Sequence, residues 1–217
     1  MEYNPSIRMV IFLGNTLLDS ISTFYNHPSY DTIRGYANQE KKELLYVYDE
    51  AIRELPPHSH ILDLGCGNAL AVHRLLKNQS YEYEGVDFSY RQIEYAQQKN
   101  PGHRYLLADF LKFSFRNNYY DLIFLRNVWH QIPSSEKEQL LMRCFSFLKP
   151  NGQLLIGQSR TPDASEPSCG EVSSIESVLS LLRNPMWNIP LTKQEFRANA
   201  WVVLVETTRK EEFDVTT

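Results

Sequence analysis

The sequence predicts an α/β domain built on a mostly parallel sheet with helices on both faces. Three observations predict it. Short apolar runs alternate with helical patterns from residue 60 to residue 158, and such alternation implies parallel pairing with right-handed crossovers. The run His60-Ile61-Leu62-Asp63-Leu64 breaks into Gly65-Cys66-Gly67 before a helical pattern resumes, which reads as a buried strand, a tight turn and a helix start. Three consecutive runs end in an acid, at Asp63, Asp87 and Asp109. Carboxyl ends of strands are where open α/β sheets bind ligands.

The elements follow in order. Residues 1–57 are expected to form a helical cap, with an apolar helix near 6–24 and a second near 38–54. Tyr25, Tyr30, Tyr36, Tyr46 and Tyr48 crowd this region. Pro56-Pro57 ends it and launches the strand at 60–64. A helix is expected from Ala69 to Asn78, then a strand at 82–87. Ser89 suits the N-cap of a helix over 90–99, which Asn100-Pro101-Gly102 terminates. Strands follow at 104–108 and 121–125, separated by an Asn117-Asn118 turn. Ser134 or Ser135 is expected to cap a helix that runs to Leu148. Pro150-Asn151-Gly152 reads as a turn before a fifth strand at 153–158. A polar loop at 160–170, a helix at 171–183 and a loop at 184–191 form a segment, 160–192, that faces substrate. Thr192 can cap a helix at 193–199. Residues 201–207 and 211–215 read as strands, joined through Thr208-Arg209-Lys210 as an antiparallel hairpin. Residues 58–217 thus form the core of a single domain.

Composition narrows the function. A chain of 217 residues suits one domain with a full core. Lys and Arg total 22 against 26 acids, so the general electrostatic footprint of a stand-alone nucleic-acid binder is missing. Cys66, Cys144 and Cys169 have no metal-type spacing, and so sparse a count fits a reduced cytoplasmic protein. No metal is expected. The apolar run Met9–Leu13 is too short to cross a membrane and is interrupted by Gly14-Asn15. A lone Arg8 and no small-residue cleavage site argue against a signal peptide. The expectation is a monomer or homodimer with no membrane partner.

Glycines at 65 and 67 let the backbone turn sharply, and a Cβ at 65 is expected to fill space a ligand needs. Nicotinamide and flavin cofactors also bind at such turns. Two details argue against them here. Leu70 stands where the third glycine of G-x-G-x-x-G belongs, and Asp63 is awkward beside a pyrophosphate yet suited to a cation. Asp87 lies about 20 residues after the glycines, where an acid accepts from ribose hydroxyls. Asp109 can accept from an adenine amino group, with Phe88 and Phe110 offering apolar faces to the ring. An ammonium, a ribose and an adenine would satisfy the three acids in order.

The segments ILDLGCG at 61–67, EGVDFS at 84–89, LLADF at 106–110, YDLIFLRNVWHQI at 120–132 and LKPNGQLLIG at 148–157 together resemble the class I S-adenosylmethionine-dependent methyltransferases. The resemblance implies a Rossmann-like, seven-stranded sheet in the order 3-2-1-4-5-7-6. It implies S-adenosylmethionine as cofactor and S-adenosylhomocysteine as product, held by Asp63, Gly65, Cys66, Gly67, Asp87, Phe88, Asp109 and Phe110.

The methyl group should lie at the end of the fourth strand, Leu125–Gln131. This segment is not the Asn/Asp-Pro-Pro-Tyr type of many exocyclic-amine nucleic-acid methyltransferases. His130 is the candidate general base, although in the resembling family a histidine here often bridges the strand to the next helix. The Arg126 carbonyl is placed to receive the cofactor's ammonium. Arg34 and Tyr36, from a lid over the site, are candidates for its carboxylate. Tyr25, Tyr30, Trp129 and Trp187 suit an aromatic or amphipathic acceptor and would equally suit a core. The reading is methyl transfer to an O or N atom of a small molecule. Its rivals are an RNA methyltransferase working with a basic partner and a cofactor-binding relative that transfers nothing. Specificity is expected in residues 1–40 and 160–192.

Overall fold

The computed structural model describes residues 8–9, 23–27, 42–69, 76, 80–159, 174–183, 191–197 and 200–207. The strands are β1 (Arg8–Met9), β2 (His60–Leu64), β3 (Glu82–Asp87), β4 (Arg104–Leu107), β5 (Tyr120–Arg126), β6 (Leu148–Ser159), β7 (Leu191–Arg197) and β8 (Ala200–Glu206). They form one sheet in the order β1-β4-β3-β2-β5-β6-β8-β7. β1 to β6 pair in parallel, and β8 runs antiparallel to both β6 and β7. Counted from β2, this is the expected order, with the short β1 added on the β4 edge.

The helices are α1 (Lys42–Arg53), α2 (Tyr90–Lys99), α3 (Ser134–Phe147) and α4 (Ile175–Leu182), with a 3₁₀ turn at Trp129–Gln131. α1 and α2 cover one face. Tyr48, Ala51 and Ile52 of α1 and Ile93 and Ala96 of α2 pack there on Ile61, Leu122, Phe124, Leu155 and Val202. α3 and α4 cover the other face, where Leu141, Cys144, Val178 and Leu179 meet Leu62, Leu125, Ile156 and Val203. Each face draws alternate residues from β2 to β6 and from β8, so both are buried, as a parallel sheet requires. No described helix is long and apolar enough to cross a membrane.

Four local expectations are corrected. Residues 8–9, expected inside an apolar helix, pair with Leu106 and Leu107 of β4. A short apolar run carries no period that separates helix from strand, and the open β4 edge decides it. Residues 193–197, expected as helix, lie in β7, where Leu191–Arg197 pairs along β8. Lys, Gln and Glu favour helix locally, and edge pairing overrides that preference. The hairpin is therefore 191–197 with 200–206, and residues 211–215 lie outside the described residues. At α3 the cap position is Pro133, with no side-chain cap bond, so Ser134 is the first helical residue and not the cap. Most of the helix expected at 69–78 is outside the described residues, although Leu76 is helical. Ser89 does cap α2, its hydroxyl accepting from the Gln92 amide at 3.4 Å.

One buried charge tests the sheet's interior. Glu84 of β3 pairs in register with Arg104 of β4, and the guanidinium donates to its carboxylate at 2.8 Å. Burial pushes the Glu84 carboxyl above its usual range, against the opposing pull of Arg104. A carboxyl with a raised folded pKa binds its proton more tightly when folded, so its cost to stability vanishes as pH falls through that pKa. Arg104→Met should lower stability by about 1–2 kcal/mol at neutral pH. The deficit should shrink on acidification as the Glu84 carboxyl takes up its proton. Denaturant titrations of both proteins at neutral and lower pH check it, and a deficit that grows with acid contradicts it.

Candidate active site

The turn after β2 is built by hydrogen bonds to β3. The amides of Gly65 and Cys66 both donate to the Val86 carbonyl, at 2.8 and 3.0 Å. Gly65 has φ +74°, and a Cβ there would stand 2.2 Å from Cγ1 of Val128. The space beside Gly65 is thus filled by the segment after β5 and is not open to a ligand. This corrects the reason expected for the glycine. Cys66 is buried, its thiol donating to the Gly67 carbonyl at 3.3 Å. Burial pushes that thiol well up, so the side chain is inert and only its backbone belongs to the turn.

Asp87, the last residue of β3, holds two turns at once. One carboxylate oxygen accepts from the Gly67 amide and the other from the Ser89 amide, each at 2.9 Å. An ionised carboxylate has about four lone-pair sites, so both oxygens can still receive ribose hydroxyls. Phe88 is half-buried at the rim, whereas Phe110 is buried in the α3-side core. Phe110 therefore packs the core and does not offer an open face, as its position in sequence had suggested. Asp109 accepts from the Leu111 amide at 2.9 Å with Oδ1. Its Oδ2 is buried without a hydrogen bond among the described residues, Lys112 standing off at 3.6 Å. Arg143 of α3 donates to the carbonyls of Leu111 and Phe113 and pins this turn.

Asp63 is fully buried on the α1 side of the sheet. Its Oδ2 accepts from the Tyr83 hydroxyl at 2.8 Å, and its Oδ1 has no partner among the described residues. Burial raises its pKa, opposed by the Arg126 guanidinium and the Tyr83 bond. A buried acid with one oxygen unpaired is costly, and a cationic ligand group would repay it. S-adenosylmethionine fits these residues. Asp63 would meet its ammonium, Asp87 its ribose and Asp109 Oδ2 its adenine amino group.

The opposite wall is the end of β5. Asn127 has φ +54° and its amide donates to the Gly157 carbonyl at 2.7 Å. Trp129 is fully buried, with its indole N–H bonded to Ser177 Oγ at 3.2 Å and the Lys137 ammonium 5.5 Å from its ring. It is core, not a substrate platform. His130 is 2 % exposed, and its Nδ1 pairs with Gln158 Oε1 at 3.1 Å. It bridges the 3₁₀ turn to β6, the next strand.

Tyr25 lies on a helical turn at 23–26 that spans the cleft. Its hydroxyl accepts from Gln131 Nε2, and its ring stands edge-on to Phe88 at 6.4 Å. Beside it, Asn26 Oδ1 accepts from Ser89 Oγ at 2.9 Å. Tyr25 therefore bridges two walls of the cleft. Tyr30, Arg34, Tyr36 and Trp187 lie outside the described residues. Tyr83, Val128 and Gln158 were not foreseen. Each becomes part of the site through strand register or through a loop returning over the sheet. Among the described residues no group of three or more His, Cys, Asp or Glu could hold a metal.

Residues 61–152 match the family model described as a methyltransferase domain. Phosphoethanolamine N-methyltransferase 2 of Caenorhabditis elegans is 28 % identical over 120 residues, 50 % of this chain but 27 % of that protein. The chain thus spans about a quarter of the length of this relative. Among solved structures, the N-methyltransferase NodS of Bradyrhizobium japonicum in complex with S-adenosyl-L-homocysteine superposes with TM-score 0.69 at 17 % identity, covering 89 % of this chain and 99 % of that one. The [4+2]-cyclase SpnF has TM-score 0.62 at 13 % identity, covering 76 % and 81 %. The domain match, the strand order and these relatives agree: residues 61–152 match a methyltransferase domain, and the sheet has the fold of S-adenosylmethionine-dependent methyltransferases.

Proposed function

We propose that the protein transfers the methyl group of S-adenosylmethionine to a nitrogen of a small amine acceptor by in-line displacement. The observation that carries the cofactor assignment is Asp63, fully buried with one oxygen unpaired among the described residues, beside a glycine turn that Asp87 clamps. Nitrogen as the acceptor atom is supported by two similar proteins, both N-methyltransferases by name. The bound cofactor supplies a methyl already activated on a sulfonium. The chain's task is to orient and to exclude water. Asp63, Asp87 and Asp109 fix the two ends of the cofactor. Tyr25 and Gln131 close the cleft between its walls. Residues 1–57 and 160–192 select the acceptor in this reading, and a small molecule suits a chain in which Lys and Arg do not outnumber the acids.

An amine must reach the methyl unprotonated. His130 is poorly placed to take that proton, because it is buried and tied to Gln158. We assign it to positioning the wall at 129–131. A second reading, binding without methyl transfer, is favoured by the cyclase that shares this fold. Incubation with methyl-labelled cofactor and a panel of small amines separates the two. Label in an amine supports transfer. Tight S-adenosylhomocysteine binding with no labelled product across the panel supports the second reading.

Asp63→Asn should stabilise the ligand-free protein at neutral pH, because it removes a buried charge whose carboxyl is raised by burial. The same change should weaken S-adenosylhomocysteine binding about 10–100-fold, the scale of losing a hydrogen bond to a charged group. Thermal melts with calorimetry read both, and unchanged affinity removes Asp63 from the site.

His130→Gln should cost roughly 0.5–3 kcal/mol of stability, with methyl transfer falling only in proportion to the folded fraction. A well-folded variant that binds cofactor normally yet transfers nothing would show that His130 is the base after all.

A further inference from the structure

The cofactor reading accounts for Asp63 and leaves two buried donors beside it without a task. Tyr48 comes from α1, outside the core strands. Its side chain is fully buried and packs edge-on against Phe124, ring centroids 5.0 Å apart. Its hydroxyl lies against the backbone of Gly157, where a Cβ would be 2.4 Å from it. Gly157 is the register partner of Arg126, and Phe124 is the register partner of Asp63. Residues two apart on a strand share a face. Tyr48, Asp63 and Arg126 therefore meet on one face of the sheet, at the carboxyl ends of β2, β5 and β6.

Three atoms of this group are buried and have no hydrogen-bond partner among the described residues: Tyr48 Oη, Asp63 Oδ1 and Arg126 Nε. Buried polar atoms are nearly always paired in folded proteins, and three orphans on one small patch call for an explanation. Their chemistry is complementary. Arg126 Nε only donates, the Tyr48 hydroxyl can donate, and Asp63 Oδ1 as a carboxylate oxygen only accepts. Two donors and an anionic acceptor are the counterpart of a zwitterion, a carboxylate joined to an ammonium.

We propose that Tyr48 and the Arg126 side chain bind the carboxylate of the cofactor's amino-acid end, while Asp63 Oδ1 takes its ammonium. The inference rests on the cofactor reading above. It moves the carboxylate from Arg34 and Tyr36 to Tyr48 and Arg126, and it gives Arg126 a side-chain role where only its carbonyl was expected. It also makes helix α1 part of the cofactor site. Gly157 is then required for Tyr48, because a side chain there would push the hydroxyl away.

Calorimetry with three ligands tests this. S-adenosylhomocysteine carries both charges. Its decarboxylated analogue, S-adenosyl-3-thiopropylamine, keeps only the ammonium. 5′-Methylthioadenosine has neither. Wild-type protein should prefer S-adenosylhomocysteine over the decarboxylated analogue by about tenfold or more, as charge-assisted bonds to a carboxylate imply. Tyr48→Phe should cut that preference several-fold, and Arg126→Met should bring it close to unity. Both should leave methylthioadenosine affinity unchanged. Because the Tyr48 hydroxyl has no hydrogen-bond partner among the described residues, Tyr48→Phe should melt at the same temperature as wild type or higher. A merely structural hydroxyl would lower it. If Arg126→Met does not fold, Tyr48→Phe decides the matter alone. Full retention of the carboxylate preference in Tyr48→Phe overturns the inference and leaves the cofactor reading standing. Failure of wild-type protein to bind either S-adenosylhomocysteine or methylthioadenosine overturns both.

Discussion

Asp87 accepts the Gly67 amide with one oxygen and the Ser89 amide with the other, and the shape of the cleft depends on this pair of hydrogen bonds. The turns leaving β2 and β3 are separate in sequence, yet one carboxylate holds both. Bonds to an ionised acceptor are the stronger kind. Val86, one residue earlier, receives the amides of Gly65 and Cys66, so the whole glycine turn is suspended from the end of β3. Ser89 passes the constraint on. Its hydroxyl accepts from Gln92 at the start of α2 and donates to Asn26, which fixes the turn that carries Tyr25. Clamp, helix start and strap thus form one connected polar network, in which each bond strengthens its neighbours.

The two faces of the sheet do different work. The α3 and α4 side is mostly apolar. On the α1 and α2 side, Asp63, Tyr83, Tyr105 and Tyr48 are buried among Ile61, Phe124 and Leu155. Burial pushes the ionisable groups of Asp63, Tyr83 and Tyr105 upward. Unpaired polar atoms such as Asp63 Oδ1 lower the stability of the free protein. At the carboxyl ends of strands that penalty is also binding capacity, since a ligand that pairs them recovers it.

Residues ahead of the first core strand reach the cleft. Tyr25 and Tyr48 precede the first core strand, yet they reach Gln131 and Gly157 at the far wall. Gln158 and Ser177, which hold His130 and Trp129, follow the matched domain segment 61–152. A match confined to that segment captures the glycine turn and the three acids. It leaves out the groups that complete the cleft around them.

The sequence by itself determined the α/β architecture, the order of the core strands and the three acids at their ends. Those features are local: a strand ends, an acid follows, and glycines turn the chain, all within a few residues. What needed tertiary structure was every property that depends on register or on a distant partner. Nothing near Gly65 announces that Val128 fills the space beside it, and nothing near residue 193 shows that β8 will recruit it into a strand. Tyr48 was one tyrosine among several in the cap. Only the α1 packing angle and the missing side chain at Gly157 bring its hydroxyl beside Arg126 and Asp63. A backbone turn is encoded by the residues that make it, whereas a buried contact is encoded jointly by residues from several strands and helices. It exists only once the sheet has set their register.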